Sequence, residues 1–199
     1  KVLIKKRYYP FSGVSIDSRD VKKDNLFVAI KGKNNDGHKY IAKALKKGAS
    51  YIISSKKIKK YQRRIIKVKD SRIFLNKFSE VKRNNTRAEI IAITGSVGKT
   101  SLKNILSNLL KNYGNSYASP RSFNNHFGVP LSLSNLSFND RFGVFEIGMS
   151  KSGEIKRLSK KVKPNLAIIT NIGEAHIENF DNIKGIAKAK SEIINEIQD

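Results

Sequence analysis

The sequence predicts an α/β protein, in which a small mixed α/β domain precedes a truncated phosphate-loop domain built on a parallel sheet. Three observations support this fold class. Short apolar runs rich in branched residues recur along the chain, segments with helical spacing separate several of them, and one strand–helix junction carries a glycine-rich turn. Strands that alternate with helices form parallel sheets covered on both faces. The 199 residues suffice for one sizeable core or two small ones.

The first predicted domain covers residues 1–83 and contains four short strands. Valine, isoleucine and phenylalanine concentrate at these strands. They are predicted at residues 14–16, 26–30, 51–53 and 65–68. Residues 40–47 have the spacing of a short amphipathic helix, and Gly48 follows where the helix would end in left-handed backbone. A second helical pattern covers residues 73–81, and the polar residues 84–86 make a junction.

The second predicted domain covers residues 84–199 and repeats a strand–helix pattern three times. Its apolar strands are predicted at residues 89–93, 143–147 and 166–170. Its helices are predicted at residues 100–112, 153–161 and 182–197. The last helix carries its isoleucines mostly on one face. This order indicates a parallel sheet, and ligands bind at the carboxyl ends of the strands in such folds.

The charge of the chain is strongly positive and unevenly distributed. There are 40 Lys and Arg residues against 16 Asp and Glu residues, which gives a formal net charge of +24. Residues 1–83 hold 25 of the basic residues and only six of the acidic ones. Such a field attracts nucleotides, nucleic acid or an anionic membrane surface. Because the lysines are scattered rather than gathered in one block, compositional drift is the simpler interpretation.

The composition excludes several classes of protein. No apolar run approaches the roughly 18 residues of a membrane-spanning helix, and the first residues are too polar for a secretion signal. The chain has no cysteine, which excludes a disulfide scaffold, a thiolate metal site and a cysteine nucleophile. These features are compatible with a cytoplasmic address.

The clearest chemical signal is the sequence Thr-Gly-Ser-Val-Gly-Lys-Thr at residues 94–100. It follows an apolar strand and precedes a helix, as a phosphate loop does. Its N–H groups and the helix N-terminus would surround phosphates, the Lys99 ammonium would meet the β- and γ-phosphates, and the Thr100 hydroxyl would bind Mg²⁺. Ile93 stands where the common pattern has its first glycine, so the loop is a shortened variant. The alternative is a glycine-rich turn with an incidental lysine.

Two side chains near strand ends are candidates for chemistry. Glu146 lies inside an apolar strand, and a buried carboxylate needs a cation or metal partner. A Mg²⁺ ion holding ATP phosphates would supply that partner; the alternative is an exposed glutamate at the strand end. His176 follows another apparently buried strand, where ligands bind, although a lone histidine is more often structural. Lys190, on the last helix, is by itself predicted to be a solvated lysine.

Two polar segments offer hydrogen-bonding side chains. Asn124 and Asn125 lie in a turn-like stretch, and asparagine amides bind carboxylates and phosphates but also form ordinary turns. In the first domain, Ser18 and Arg19 follow a strand and could hold a phosphate or a carbonyl-bearing base. Capping and turn formation are the alternative for both segments.

These motifs, in this order and with these separations, resemble the Mur ligase family. The likeness covers nearly the whole chain, and several ordered motifs are far more specific than one phosphate loop. The segments that carry it are Asp17-Ser18-Arg19, 24–29, Gly32 with Asp36-Gly37-His38, 94–100, 124–130, Glu146-Ile147-Gly148, Gly153-Glu154-Ile155, 171–176, and Ala189-Lys190 with Glu192-Ile193.

The resemblance implies an ATP-dependent amide ligase of peptidoglycan precursor synthesis, with ATP and Mg²⁺ as cofactors. The form of the phosphate loop and the paired asparagines favour the member that joins D-alanyl-D-alanine to UDP-N-acetylmuramoyl-tripeptide through an acyl phosphate. A sister ligase that adds a diamino acid is the first alternative, and a basic nucleic-acid-binding module is the second. A monomer without nucleic-acid or membrane partners is expected.

The resemblance also implies which residues bind the substrates. Ser18 and Arg19 would contact the UDP end of the muramoyl substrate. Asn124 and Asn125 would lie near the phosphates and the substrate carboxylate. The ATP-binding residues would be Gly95, Ser96, Val97, Gly98, Lys99 and Thr100.

Two metal ions are implied as well. Thr100 and Glu146 would hold one Mg²⁺ ion. His176, Glu146 and Lys190 would hold a second, and Lys190 is carbamylated in many family members. Lys99, His176 and Lys190 are the catalytic candidates.

The chain is shorter than members of this family. It does not begin with Met and stops soon after Lys190, so it is expected to be an N-terminal part without the C-terminal domain that closes on ATP. Because such closure excludes water from the reacting groups, the chain alone is expected to bind the UDP-linked substrate and to be a poor or inactive ligase.

Overall fold

A computed structural model describes residues 2–4 and 7–198, with side chains from Tyr9 onward; the outermost predicted domain bounds, residues 1 and 199, lie outside these ranges. The chain divides into two units, Lys1–Phe78 and Ser79–Asp199. Each unit contains a four-stranded parallel sheet with helices packed on it, which confirms the predicted α/β fold class. No helix among the described residues is long and apolar enough to cross a bilayer.

The first unit begins with an antiparallel pair of strands, β1 (Val2–Ile4) and β2 (Arg7–Tyr9), which the sequence did not predict. Its main sheet is parallel, with its strands in chain order. These strands are β3 (Gly13–Ser15), β4 (Asn25–Ala29), β5 (Tyr51–Ser54) and β6 (Ile65–Lys67). Helix α1 (Ile41–Lys46) packs its apolar face around Phe27 and Ile52. The four strands predicted in this region are confirmed, with small shifts of their ends.

A buried histidine fixes the turn that leads into α1. His38 Nδ1 lies 2.6 Å from Asp36 Oδ1, and His38 Nε2 accepts the backbone N–H of Ser55 at 3.2 Å. Because Nε2 is an acceptor, the ring proton lies on Nδ1 and is donated to Asp36. The Lys56 ammonium donates to the other oxygen of Asp36 at 2.6 Å. One carboxylate therefore joins the turn before α1 to the loop after β5.

Helix α2 (Ser71–Asn85) is longer than predicted at both ends. Asp70 Oδ1 accepts the backbone N–H groups two and three residues later, at 2.7 and 2.9 Å, and so caps the start of the helix. At the other end, Arg83 donates to the carbonyl oxygen of Val162 at 2.6 Å. This tertiary contact explains why Asn84 and Asn85, predicted to lie in a junction, are helical instead.

The second unit has a parallel sheet whose strand order is not the chain order. Its elements are β7 (Glu89–Thr94), α3 (Lys99–Leu110), β8 (Ser116–Ala118), α4 (Gly128–Asn135), β9 (Phe142–Glu146), α5 (Glu154–Val162), β10 (Leu166–Ile169) and α6 (Ile183–Ser191). The strands lie in the order β10–β7–β9–β8. Ile90 and Ala92 pack with α4, α5 and α6, whereas Ile91 and Ile93 pack against α3. Helices thus cover both faces, as predicted.

Four details of the second unit differ from the prediction. Helix α4 was not among the three predicted helices. Strand β8 was missed because three half-buried residues carry little periodic signal. Strand β10, predicted to be buried, pairs with β7 alone among the described strands, so it is an edge strand there and remains partly exposed. The last helix, α6, ends at Ser191 rather than at residue 197, because Glu192 turns to accept N–H groups at the start of α5.

Asp36→Asn is expected to destabilise the first unit. Hydrogen bonds from Lys56 and then from His38 hold the pKa of Asp36 well below its usual range. Such a group contributes stability above its unfolded pKa of about 4 and loses it as pH falls through lower values. The wild type should therefore lose stability progressively below about pH 5. D36N should be roughly 1–3 kcal/mol less stable at pH 7, with a weaker acid dependence, as measured by urea unfolding.

Asp24→Asn is the matched control. The Asp24 carboxylate is exposed and accepts a hydrogen bond from the neutral Ser50 hydroxyl at 3.0 Å. Its replacement should change stability little at pH 7. Equal losses in D24N and D36N would contradict the role given to Asp36.

Candidate functional site

The glycine-rich turn joins β7 to α3, as the sequence predicts. Gly95 and Gly98 have φ angles of +149° and +81°, which side chains with a Cβ rarely tolerate. A Cβ on Gly95 would also overlap Thr170 Oγ1, whereas a Cβ on Gly98 would meet nothing within 4 Å. Gly95 is therefore required by a close neighbour as well as by its backbone, and Gly98 by its backbone alone.

The phosphate loop presents both a lysine and open N–H groups. The Lys99 ammonium donates to the carbonyl oxygens of Gly95 at 2.7 Å and Ser96 at 3.3 Å, so it lies over its own loop. Within the described ranges, no acceptor pairs with the backbone N–H groups of Gly98, Lys99 and Thr100. These groups stand at the N-terminus of α3, where an anion is favoured.

The two preceding N–H groups of the loop are already paired. Ser96 N and Val97 N each donate to Asn171 Oδ1 at 3.0 Å. The Ser96 hydroxyl donates to the carbonyl oxygen of Gly173 and accepts its N–H, both at 2.8 Å. The segment after β10 thus lies directly against the loop.

Glu146 closes the site at the end of β9. Its side chain is only 2% exposed. Thr100 Oγ1 donates to Oε2 and Asn124 Nδ2 donates to Oε1, both at 2.7 Å. The ammonium of Lys103 lies 3.9 Å from Oε2. The alternative of an exposed glutamate is therefore wrong, and the buried carboxylate has three compensating partners.

The oxygen atoms of Thr100 and Glu146 fit a magnesium ion. A hydroxyl and a carboxylate are ligands that Mg²⁺ accepts, and the ion commonly takes one or two protein ligands together with substrate phosphates. The two side chains are already in contact and Thr100 begins the same helix as Lys99. The chemistry of this donor set therefore suits a phosphate-bound Mg²⁺.

Lys190 is buried, contrary to the expectation from its sequence surroundings alone. It is 2% exposed, and its side chain makes no hydrogen bond or ion pair with any described residue. It lies one turn after Ile186 on the buried face of α6, which explains the difference. Burial first, and then the positive charge of Lys99, lower the pKa of Lys190 to about 8. An unpaired ammonium thus lies close enough to Lys99 to be affected by it.

His176 is not joined to the other predicted metal ligands. Its side chain is 48% exposed, and its Nδ1 lies 3.7 Å from Glu178 Oε1. No hydrogen bond or ion pair joins His176 to Glu146 or Lys190. Over the described residues, no group of three or more histidine, aspartate and glutamate side chains could hold a metal ion. The residues present therefore do not form the second metal site by themselves.

The remaining predicted residues lie in local hydrogen-bonded turns. Asn125 Oδ1 accepts two backbone N–H groups at the start of α4, both at 3.0 Å, so it caps that helix. In the first unit, Ser18 is buried. Arg19 is largely exposed and forms an ion pair with Asp17 at 2.7 Å, which holds its guanidinium near the end of β3.

Known protein families match both units of the chain. Residues 93–199 match the Mur ligase middle domain, and residues 10–90 match the catalytic domain of the Mur ligase family. The chain belongs to the Mur ligase family.

Individual members of the Mur ligase family show the same likeness. A UDP-N-acetylmuramoyl-tripeptide–D-alanyl-D-alanine ligase of Rickettsia prowazekii is 45% identical over 181 residues, which is 90% of this chain and 40% of that protein. The Bacillus subtilis ligase of the same name is 33% identical, over 94% of this chain and 41% of that protein. The MurF ligase of Thermotoga maritima, in complex with ADP, superposes with a TM-score of 0.76 at 36% identity, covering 94% of this chain and 43% of that one. This Mur ligase chain therefore spans about two fifths of the length of these relatives.

Two residues of the candidate site were missed from the sequence. Lys103 is 1% exposed, donates to the carbonyl oxygen of Arg121 and faces Glu146. Lys103 lies four residues after Lys99, and so on the same face of the amphipathic helix, and this spacing could have identified it as a site residue. Asn171 follows β10, and the rule that ligands lie at the carboxyl ends of parallel strands points to it.

Gly95→Ala and Gly98→Ala are expected to lower the free energy of unfolding of the second unit by different amounts. Both replacements strain left-handed backbone, at about 1–3 kcal/mol each. G95A also forces apart the loop and Thr170, so it should lower the free energy of unfolding clearly more than G98A in urea titrations. Equal losses would show that the contact between Gly95 and Thr170 does not constrain the loop.

Proposed function

We propose that this chain provides the UDP-substrate-binding and ATP-binding parts of a ligase that joins D-alanyl-D-alanine to UDP-N-acetylmuramoyl-tripeptide. The observation that carries the proposal is the contact between Thr100 and the buried Glu146 beside a phosphate loop with open N–H groups. The names of the relatives from Rickettsia prowazekii and Bacillus subtilis support this substrate pair. The ADP in the Thermotoga maritima ligase supports ATP as the co-substrate.

The loop residues are proposed to bind and align the triphosphate. The N–H groups of Gly98, Lys99 and Thr100 would donate to phosphate oxygens, and the Lys99 ammonium would leave its two carbonyl partners for the β- and γ-phosphates. Thr100 and Glu146 would hold Mg²⁺, which neutralises phosphate charge when bound. Phosphoryl transfer depends on such charge neutralisation and alignment more than on a protein nucleophile.

The proposed reaction has two steps. An oxygen of the tripeptide's terminal carboxylate attacks the γ-phosphorus, the bond between this phosphorus and the bridging oxygen breaks, and ADP leaves. The amine of D-alanyl-D-alanine then attacks the carbonyl carbon of the acyl phosphate. A tetrahedral intermediate forms, the nitrogen loses a proton, and inorganic phosphate leaves as the amide is made. The residues described here would position the first step by holding the phosphates in line.

The first domain, residues 1–83, is proposed to bind the UDP end of the substrate, and residues 84–199 to bind ATP. Arg19 has the planar, charged donors that suit a diphosphate, and its ion pair with Asp17 keeps it in place. Asn124 would act by orienting the carboxylate of Glu146. Asn125 uses only its oxygen as a helix cap, which leaves its amide N–H groups for a substrate.

Lys190 is proposed to become a metal ligand by carbamylation. Its neutral amine would attack carbon dioxide, a nitrogen–carbon bond would form, and a proton would be released. The resulting carbamate would carry the negative charge that Lys190 lacks, and could then serve a second Mg²⁺ ion together with Glu146 and His176. Its burial, its lack of a partner and its proximity to Lys99 support this modification.

Carbon-13 NMR of protein equilibrated with labelled bicarbonate tests the carbamate. A carbamate signal is expected in the wild type and should disappear in Lys190→Met. Lys188→Met, which changes an exposed lysine of the same helix, should retain the signal. A wild-type spectrum without it would contradict the modification.

Calorimetric titration with Mg-ATP and with UDP-N-acetylmuramoyl-tripeptide tests the two binding roles. Lys99→Met should weaken Mg-ATP binding roughly tenfold to a hundredfold, the range expected for a lost charged hydrogen bond, and should leave the UDP-linked substrate unaffected. Lys111→Met, at the exposed end of α3, is the control. The titrations use both the 199-residue chain and the product of the full reading frame.

Ligation assays with the same two proteins test the activity. The full product is expected to use D-alanyl-D-alanine in preference to diamino acids, and the 199-residue chain is expected to bind its substrate without ligation. Preference for a diamino acid would assign the protein to the sister ligase instead.

A further inference from the structure

The segment that follows β10 contacts the phosphate loop more extensively than the loop contacts itself. Thr170 Oγ1 donates to the carbonyl oxygen of Val97 at 2.6 Å. The next residue, Asn171, accepts the N–H groups of Ser96 and Val97 on a single oxygen, and its own carbonyl oxygen accepts the Ser96 N–H at 3.2 Å. Gly173 exchanges two hydrogen bonds with the Ser96 hydroxyl. None of these contacts has a role in the function proposed above.

The phosphate loop needs such external support. Its two glycines, Gly95 and Gly98, give the backbone unusual freedom, and ordering that freedom costs conformational entropy. Ile93, which stands where the common pattern has its first glycine, is fully buried in β7, so the loop is short. An unsupported loop of this kind would leave the N–H groups of Ser96 and Val97 without partners.

We propose that Asn171 is the positioning residue of the phosphate loop. Its side-chain oxygen fixes the N–H groups of Ser96 and Val97, and the next three, those of Gly98, Lys99 and Thr100, stay unpaired and ordered for the triphosphate. Asn171 itself does not touch the nucleotide and acts through the loop. This inference rests on the proposed ATP-binding function and deepens it.

A carboxamide suits this task better than a carboxylate. Its oxygen has two lone pairs and accepts both N–H groups, as an aspartate oxygen would. The carboxamide is neutral, whereas an aspartate would place a negative charge beside the bound phosphates and repel them. Asn171→Asp therefore separates the geometric effect of the residue from its electrostatic effect.

Amide hydrogen exchange tests whether Asn171 holds the loop in place. The exchange is monitored by NMR in the 199-residue chain without nucleotide. Asn171→Ala should speed exchange at Val97 about fivefold, because its N–H loses a hydrogen bond that contributes about 1 kcal/mol. Exchange at Ser96 should rise less, since its N–H keeps the carbonyl oxygen of residue 171 as an acceptor. N171D should retain the protection. Unchanged protection in N171A, or lost protection in N171D, would overturn the proposal whether or not the protein binds ATP.

Asn165→Ala is the matched control. The Asn165 side-chain oxygen accepts the N–H of Ile90 at 2.9 Å, so it joins the segment of β10 to β7 at the opposite end of these strands. N165A should leave exchange at Ser96 and Val97 unchanged. Faster exchange there in N165A would mean that general loosening of the sheet, and not Asn171, sets the protection.

Titration of the full reading-frame product with Mg-ATP tests the consequence for binding. N171A should weaken binding about tenfold, in proportion to the lost order of the loop, and N171D should weaken it at least as much despite its protected amides. Tighter binding by N171A would overturn the proposal, since Asn171 would then compete with phosphate for the two N–H groups. A wild type that binds no nucleotide would refute the proposed function while the exchange experiment still decides the role of Asn171 in shaping the loop.

Discussion

The buried negative charge of Glu146 is the constraint on which the site depends. A carboxylate removed from water must be compensated at short range, and two other segments of the chain meet it to do so. Helix α3 brings Thr100 and Lys103, and the loop before α4 brings Asn124. Even Gly148 belongs to this arrangement, because a Cβ there would press against the Asn124 side chain. The requirement to satisfy one acid therefore fixes the start of α3 relative to the end of β9.

The charge balance around this carboxylate favours a polyanionic ligand. The Lys99 ammonium lies over the loop, and the Lys103 ammonium lies 3.9 Å from Glu146 Oε2. Burial, and then the positive charge of Lys99, lower the pKa of Lys190. The buried Lys103 and Lys190 and the half-buried Lys99 thus accompany one buried carboxylate, and electrostatic interactions are strong where water is excluded. This excess of positive charge destabilises the site when it is empty and favours the binding of an anion. The net charge of the whole chain contributes little to this conclusion, since most of its lysines are elsewhere and exposed.

The features that could be predicted from the sequence are local ones. A strand, a glycine turn and a helix follow one another directly at residues 89–110, so adjacent residues carry the whole signal. The burial of Lys190 and the contacts of Asn171 with Ser96 depend instead on pairs separated by more than seventy positions in the chain. Lys103 resembles a surface lysine until the position of Glu146 is known. The ordered motifs identified the family, but they could not show which of these distant residues are in contact.

The edge position of β10 has a practical consequence for handling the protein. Leu166 is 51% exposed, and within the described ranges only β7 pairs with this strand. An open, apolar strand edge is a template for pairing with other chains. Among the described strands, the β10 edge is therefore a place where another chain could pair. Charged substitutions there offer a simple route to better-behaved samples for crystallisation.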